Sequence, residues 1–243
     1  MGTVNVLNSL RSLSSARVVV CVSTDKVYKN LEHSYPYREI DTLGGYDPYS
    51  ASKAAGEIVI SSYRDAYLSQ QGVALASARA GNVVGGRDWS DDRLIPDAIR
   101  AWSNCLPLKI RMPNAVRPWQ HVLEPLNAYL IHAEQLYDNS NLAGAYNFGP
   151  EISGSTSVSN IVKLANIAYG SGSVTWGDES DGPYESGSLL LVVSKARTKL
   201  GVTPRWSLGQ TVQNAIQWYL DFRSGQKAIE LCKSNIAEFL HSQ

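Results

Sequence analysis

Two apolar runs with a helical segment between them constrain this chain more than anything else in it. Residues 17–23 (RVVVCVS) form a continuous β-branched run, and residues 73–79 (VALASAR) read as a second buried strand. Between them, residues 49–71 carry Ala, Ile, Val and Tyr at helical periods and stop before Gly72. Strands that are apolar on both faces need cover on both, and a helix between two of them makes them parallel neighbours. Residues 3–13 (TVNVLNSLRSL) place Val4, Leu7, Leu10 and Leu13 at helical spacing and add a helix in front. The order helix, strand, helix, strand predicts an α/β fold around a doubly wound parallel sheet, whose ligands lie beyond the carboxyl ends of the strands.

The rest of the chain is less regular. Short strands at 108–110 (LKI), 145–148 (AYNF) and 174–176 (VTW) alternate with helices at 94–104, 123–137, 157–169, 194–200 and 207–223. Ser157 and Ser207 each stand just before an apolar-periodic run, as N-caps do. This pattern predicts a smaller C-terminal α+β lobe fitted onto the sheet, with residues 1–90 in the first domain and 91–243 mainly in the second, some segments returning to the first. The Gly/Ser-rich stretch 170–188 is the most loop-like part.

With 243 residues, 44% hydrophobic and 18% charged, the chain is long enough for a sizeable core and is neither disordered nor fibrous in composition. Its 22 basic residues balance 22 acidic ones, so no net field draws it to nucleic acid or to an anionic membrane, and a small ligand is the better expectation. Cys21, Cys105 and Cys232 are far apart and form no CxxC or Cys/His cluster; His33, His121, His132 and His241 share no metal spacing, and no metal site is expected. A reducing, cytoplasmic setting fits, since no run approaches the roughly 18 to 20 apolar residues of a membrane span and no signal-peptide pattern opens the chain.

Two groups of residues could carry chemistry. Tyr49 and Lys53 form a YxxxK pair (YSASK), and their i to i+4 spacing puts both side chains on one helix face. An ammonium beside a phenol favours its phenolate, so the tyrosine can serve as a base toward a hydroxyl. Ser23, Thr24, Asp25 and Lys26 directly follow the strand VVVCV, which brings a hydroxyl, a carboxylate and an amine to the ligand edge of the sheet. Bland readings stand beside both: a solvated helix face for YxxxK, a turn cap for Asp25. A sheet that binds a dinucleotide normally opens with a strand, a GxGxxG-type turn and a helix. Here the strand 17–23 runs into STDKVY, so either no dinucleotide binds or the first half of the sheet is not in this chain.

Taken in order, STDKVY, YDPYSASK, RAGNVVGGRDW, DRLIPDAIRA, RPWQHVLEPL, YNFGP and SKARTKLG with PRWSL resemble the extended short-chain dehydrogenase/reductase family, and within it the sugar-nucleotide 4,6-dehydratases. The resemblance runs from about Gly2 to about Phe222. It implies a partial Rossmann-type sheet, since MGTVNVL is similar to a helix that follows the glycine-rich NAD-binding unit in that family. A chain without that unit is expected to bind NAD weakly and turn over little by itself.

The resemblance also implies roles. The cofactor is NAD and the substrate a nucleotide-activated hexose, CDP-glucose being the expected one. Tyr49 takes the proton of the sugar 4-hydroxyl as hydride leaves C4, and Lys53 bonds the nicotinamide ribose. Thr24 bonds the sugar oxygen, Asp25 protonates the departing 6-hydroxyl, and Lys26 stands where the dTDP-sugar enzymes carry glutamate. A lysine acts as a base only in a dry site or beside another cation. Asn82, Arg93, Arg111, Arg117 and Asn147 are the substrate-binding candidates, with the arginine fork of Arg117 suited to a diphosphate; Asn147 could equally be a turn residue. Epimerases of the family lack the acid and base pair, which favours dehydration at Asp25-Lys26; a silent binding module and an epimerase remain as alternatives. A homodimer through the long helices, one of them 49–71, is the expected assembly.

Overall fold

The structure, a computed structural model, describes residues 1–33, 35–151, 155–178 and 187–242. Part of the Gly/Ser-rich stretch predicted as a loop, residues 179–186, lies outside the described residues. The chain divides into two compact units, the first made of Met1–Gly81, Pro125–Ile152 and Leu189–Thr203, the second of Asn82–Glu124, Ser153–Ser188 and Pro204–Gln243.

The first unit is built on three parallel strands in the order β1 (Val18–Val22), β2 (Ala74–Ala80), β7 (Gly144–Phe148), with Val20 opposite Ala76 and Ala78 opposite Tyr146. Strand β2 is buried along its whole length, and its alternation assigns each face a partner. Leu75 packs with Leu7 of α1 (Gly2–Leu10) and Ile60 of α2 (Pro48–Tyr63). Ala74 and Ala76 turn the other way onto Leu136 of α4 (Leu123–Asp138), and Ala78 and Ala80 meet Ala128, Phe148 and Leu200, the last on α6 (Ser194–Leu200). Alanine every second residue lets helix and sheet approach closely, and each larger side chain so buried contributes about 1.5–3 kcal/mol. Among the described residues β1 ends the sheet, and Val22 is exposed.

Helix α2 begins at Asp47, whose carboxylate accepts from the Ser50 amide at 3.0 Å and the Ser50 hydroxyl at 2.6 Å, with Pro48 in the first turn. It runs on through a π-turn (Arg64–Leu68) and a 3-10 turn (Ser69–Gln71) to Gly72, which takes the left-handed φ of 74° that ends it. The helix predicted over 49–71 is thus present, in three windings.

The second unit holds strand pairs β3 (Val83–Val84) with β6 (Gln120–His121), β4 (Leu108–Ile110) with β9 (Val174–Trp176), and β5 (Val116–Arg117) with β8 (Thr156–Ser157). Its core joins Ile99 and Trp102 of α3 (Leu94–Ser103), Ile161 of α5 (Val158–Tyr169) and Ile216 and Tyr219 of α7 (Leu208–Arg223). Ser157 and Ser207 cap α5 and α7 as the sequence predicts, Ser207 in a reciprocal capping box with Gln210. Two expectations are corrected. The strand AYNF was grouped with the lobe but is β7 of the main sheet, where it pairs with β2 and buries Tyr146 and Phe148. The reading stopped at 223, whereas α8 (Ala228–His241) follows a turn in which Gly225 adopts φ 100°.

Candidate active site

The sheet delivers Thr24, Asp25 and Lys26 at the end of β1, where Ser23 still donates its amide to Ala78 O at 2.7 Å. Lacking a strand partner, the next residues wind into a 3-10 turn (Asp25–Val27) capped by Thr24. The Thr24 hydroxyl accepts from the Lys26 amide at 3.3 Å and donates to Asp25 Oδ1 at 3.1 Å. Asp25 is buried and Lys26 is exposed. The Asp25 carboxyl is thus withdrawn from water and oriented by the Thr24 hydroxyl at the ligand edge of the sheet. Lys26 does not meet the condition of dryness that a lysine base requires, and its ammonium instead lies near Asp47, whose carboxyl is held below the usual range first by its two bonds to Ser50 and, as the smallest contribution, by this charge.

Helix α2 carries Tyr49 in its first turn and Lys53 one turn on, with Lys53 Nζ 5.7 Å from the Tyr49 ring centroid. Tyr49 is 52% exposed, so its hydroxyl is reachable by a ligand. The start of α2 is tied to the turn: Gly44 N donates to Val27 O and Lys29 N to Thr42 O, both at 2.9 Å, and Tyr28 and Leu43 pair antiparallel. Gly45 permits this, since a Cβ there would come within 2.1 Å of Ala51 N. A cavity of about 290 Å³ lies alongside, lined by Thr3, Cys21, Ser23, Ser52, Lys53 and Gly56. The residues predicted from STDKVY and from YSASK are therefore brought together in one unit. Asp47 was missed; the Asp-Pro pair ahead of the helical run was the signal for it.

The substrate-binding candidates divide differently. Asn82, Arg93, Arg111 and Arg117 belong to the second unit, where Asn82 O accepts from Gln120 N at 3.1 Å and Arg93 is exposed just before α3. Arg111 is exposed after β4. Arg117 is buried, its Nη1 donating to Val116 O at 2.9 Å and Gly187 O at 3.4 Å, so the guanidinium expected to clasp a diphosphate is already bonded to main-chain carbonyls. Asn147 is corrected outright. It lies within β7 rather than in a turn and is fully buried. Its Oδ1 accepts from the Tyr28 hydroxyl at 2.6 Å, and its Nδ2 spends both its hydrogens on Tyr37 O and Val192 O at 3.1 and 3.2 Å, so the side chain is out of reach of a ligand and bonded within the fold.

The model of the NAD dependent epimerase/dehydratase family matches residues 1–149. CDP-glucose 4,6-dehydratase of Salmonella typhimurium (strain LT2) is 39% identical over 246 residues, covering 99% of this chain and 68% of that protein. dTDP-glucose 4,6-dehydratase of Streptomyces antibioticus is 26% identical over 209 residues, 84% of this chain and 58% of the relative. The chain thus spans about two thirds or less of the length of these relatives. In fold it is similar to dTDP-glucose 4,6-dehydratase of Bacillus anthracis in complex with NAD, with a TM-score of 0.78, 21% identity, and coverage of 92% of this chain and 68% of that one. It is similar as well to UDP-glucuronic acid 4-epimerase of Bacillus cereus, with a TM-score of 0.77, 19% identity and coverage of 90% and 66%. Dehydratase and epimerase share this fold, so the fold alone does not choose between them.

Proposed function

We infer the reaction from one premise: the chain belongs to the NAD dependent epimerase/dehydratase family. The reaction is NAD-dependent 4,6-dehydration of a nucleotide-activated hexose, with CDP-glucose the substrate and a 4-keto-6-deoxy sugar nucleotide the product. The observation that carries dehydration over epimerisation is the buried Asp25, hydrogen-bonded to Thr24 at the ligand edge of the same unit that holds Tyr49 and Lys53. Epimerisation needs a base at the 4-hydroxyl; loss of water needs a proton donor for the departing hydroxyl as well.

The residues fit the nicotinamide-ribose end of NAD, because the cavity beside α2 presents the hydroxyl-bearing side chains of Ser23 and Ser52 together with the Lys53 ammonium. Bound there, NAD would supply a reversible hydride acceptor for the sugar. The chain's own side chains handle the protons: Tyr49 accepts from the 4-hydroxyl, Thr24 orients the sugar through its hydroxyl, Asp25 donates to the 6-hydroxyl as it leaves, and Lys26 is the base nearest in sequence for C5. Since Lys26 is exposed, it acts as a base only once bound substrate has displaced water around it. Asn82, Arg93 and Arg111 of the second unit are the groups proposed for the diphosphate.

A cytoplasmic setting is consistent with three free cysteines; among the described residues no helix is long and apolar enough to cross a membrane. A homodimer through the long helices is supported by apolar side chains left exposed on them, Ile58 on α2 and Leu126 and Leu130 on α4. Incubating the protein with CDP-glucose and NAD and following the 4-keto product tests the reading. Dehydrated product is expected, formed slowly and only at high NAD concentration; a C4 epimer formed without loss of water would replace this reading with an epimerase, and no change to the sugar at high NAD would favour a silent binding module.

A further inference from the structure

Beneath the candidate site runs a charged pair that the proposed chemistry does not use. Ser77 and Arg79 point from β2 to the α2 side of the sheet, on the face where Leu75 packs with Leu7 and Ile60. Arg79 Nη2 lies 2.7 Å from Glu57 Oε2, with the two side chains 4% and 2% exposed. Glu57 sits one turn past Lys53 on α2 and also accepts from the Ser77 hydroxyl at 2.7 Å. The other arm of the guanidinium, Nη1, donates to the Tyr28 hydroxyl at 2.9 Å and to Glu39 O at 3.2 Å. Tyr28 immediately follows the Asp25–Val27 turn, and its hydroxyl donates a hydrogen bond to Asn147 Oδ1 of β7. Burial pushes the Tyr28 phenol up to about 12, against the pull of Arg79, so it stays a donor.

Such a pair is a poor source of stability. Desolvating two charges offsets most of their attraction, and an apolar pair of similar volume commonly serves as well or better. The bonds here are also incomplete, since Glu57 Oε1 and Arg79 Nε are buried with no hydrogen-bond partner among the described residues. What the pair has that an apolar pair lacks is direction: a planar fork whose two arms end on two different segments.

We infer that Arg79, with Glu57 and Tyr28, is a positioning device that sets the Thr24–Lys26 turn against the Tyr49–Lys53 face of α2, one arm of the guanidinium holding each. The inference rests on the proposed dehydration for its kinetic consequence, though not for its structural one. Misplacing reacting groups by an ångström can reduce turnover by about a hundredfold, so a looser link at this remove is expected to lower kcat by about tenfold.

The test uses two variants. Tyr28→Phe removes the hydroxyl that joins the turn to the guanidinium, and with it the bond to Asn147 Oδ1, and Glu57→Leu with Arg79→Met replaces the charged pair by an apolar one. Each is expected to lower kcat for dehydration while KM stays within about twofold, and to speed amide exchange in residues 24–28 and 48–54 together; the double variant should melt near the wild type, and Tyr28→Phe below it because Asn147 Oδ1 loses its donor. Wild-type kcat in a folded double variant, or faster exchange in only one of the two segments, overturns the inference. If the double variant fails to fold, Tyr28→Phe decides by the same measures. Should the wild-type protein show no dehydratase activity, the reading of the reaction fails, and the exchange measurement still decides whether the two segments are linked.

Discussion

Lys53 holds its ammonium over the ring of Tyr49, 5.7 Å from the centroid, rather than at its hydroxyl. That places the cation where it interacts with the π face and leaves the hydroxyl, on a half-exposed side chain, open to a ligand. Attraction between the ammonium and a phenolate grows as water leaves, so a bound sugar and cofactor would strengthen it at the moment a proton is transferred.

Tyr49→Phe is therefore expected to keep the ring over which Lys53 sits and to lose only the proton acceptor. Turnover should fall by roughly 10²–10⁴, the usual contribution of a general base, with substrate affinity close to that of the wild type. Steady-state kinetics beside calorimetric titration with the sugar nucleotide check this. Equal losses in affinity and turnover would make the tyrosine a structural residue.

Arg117→Ala is expected to act on the fold. The side chain is buried and its guanidinium donates to Val116 O at 2.9 Å, and a hydrogen bond from a charged donor contributes about 1.5–3 kcal/mol. Thermal unfolding without ligand measures it. A variant as stable as the wild type, but with weakened sugar-nucleotide binding, would return the guanidinium to the diphosphate.

The elements were legible where one local rule governed them: β1 from its β-branched run, α5 and α7 from the serines that cap them, and the end of the long helix from Gly72 and its positive φ. The site was legible as two motifs because strand ends and helical spacing fix where Asp25 and Tyr49 emerge. What stayed hidden depended on pairing across the chain. Asn147 looks like a ligand or a turn residue until Tyr28, 119 residues away, is seen to donate to it. The polar Ser77 and Arg79 gave no sign of departing from an apolar strand's surroundings, because their partner Glu57 reads on sequence as one more polar residue of an amphipathic helix. Arg117 likewise shows part of its commitment in a carbonyl 70 positions on, that of Gly187.

Gly86 and Gly56 should respond oppositely to alanine. A Cβ on Gly86 would come within 2.1 Å of Trp218 Cδ2, part of a rigid buried ring, whereas one on Gly56 meets nothing closer than Thr3 Oγ1 at 3.8 Å. Gly86→Ala is expected to destabilise by about 1–3 kcal/mol through overpacking. Gly56→Ala, in the interior of α2, should stabilise by about 0.5–1 kcal/mol through the reduced freedom of the unfolded chain. Denaturant unfolding of the two single variants compares them, and a destabilised Gly56→Ala would mean that the cavity lining it does not tolerate a methyl group.

Stability should fall on mild acidification, and His121 should account for much of it. Its ring is buried against Trp206, with Nδ1 accepting from the Leu123 amide at 3.3 Å, and burial lowers its pKa from 6.5 to about 4. Between those values the unfolded chain takes up a proton that the folded one refuses, so protonation favours unfolding. The native state then loses stability as pH falls from 6.5, by roughly 3 kcal/mol at pH 4. His132, also lowered chiefly by burial, acts in the same direction, while Glu124, raised by burial, acts against it below its folded value. The carboxyls held low, Asp41, Asp47 and Asp65, weaken the fold only below about pH 4. His121→Asn keeps an acceptor for Leu123 and removes the titration. The difference in unfolding free energy between wild type and variant, followed from pH 7 to 4.5, is expected to shrink or change sign as the wild type loses its advantage; parallel curves would show that His121 titrates alike in both states.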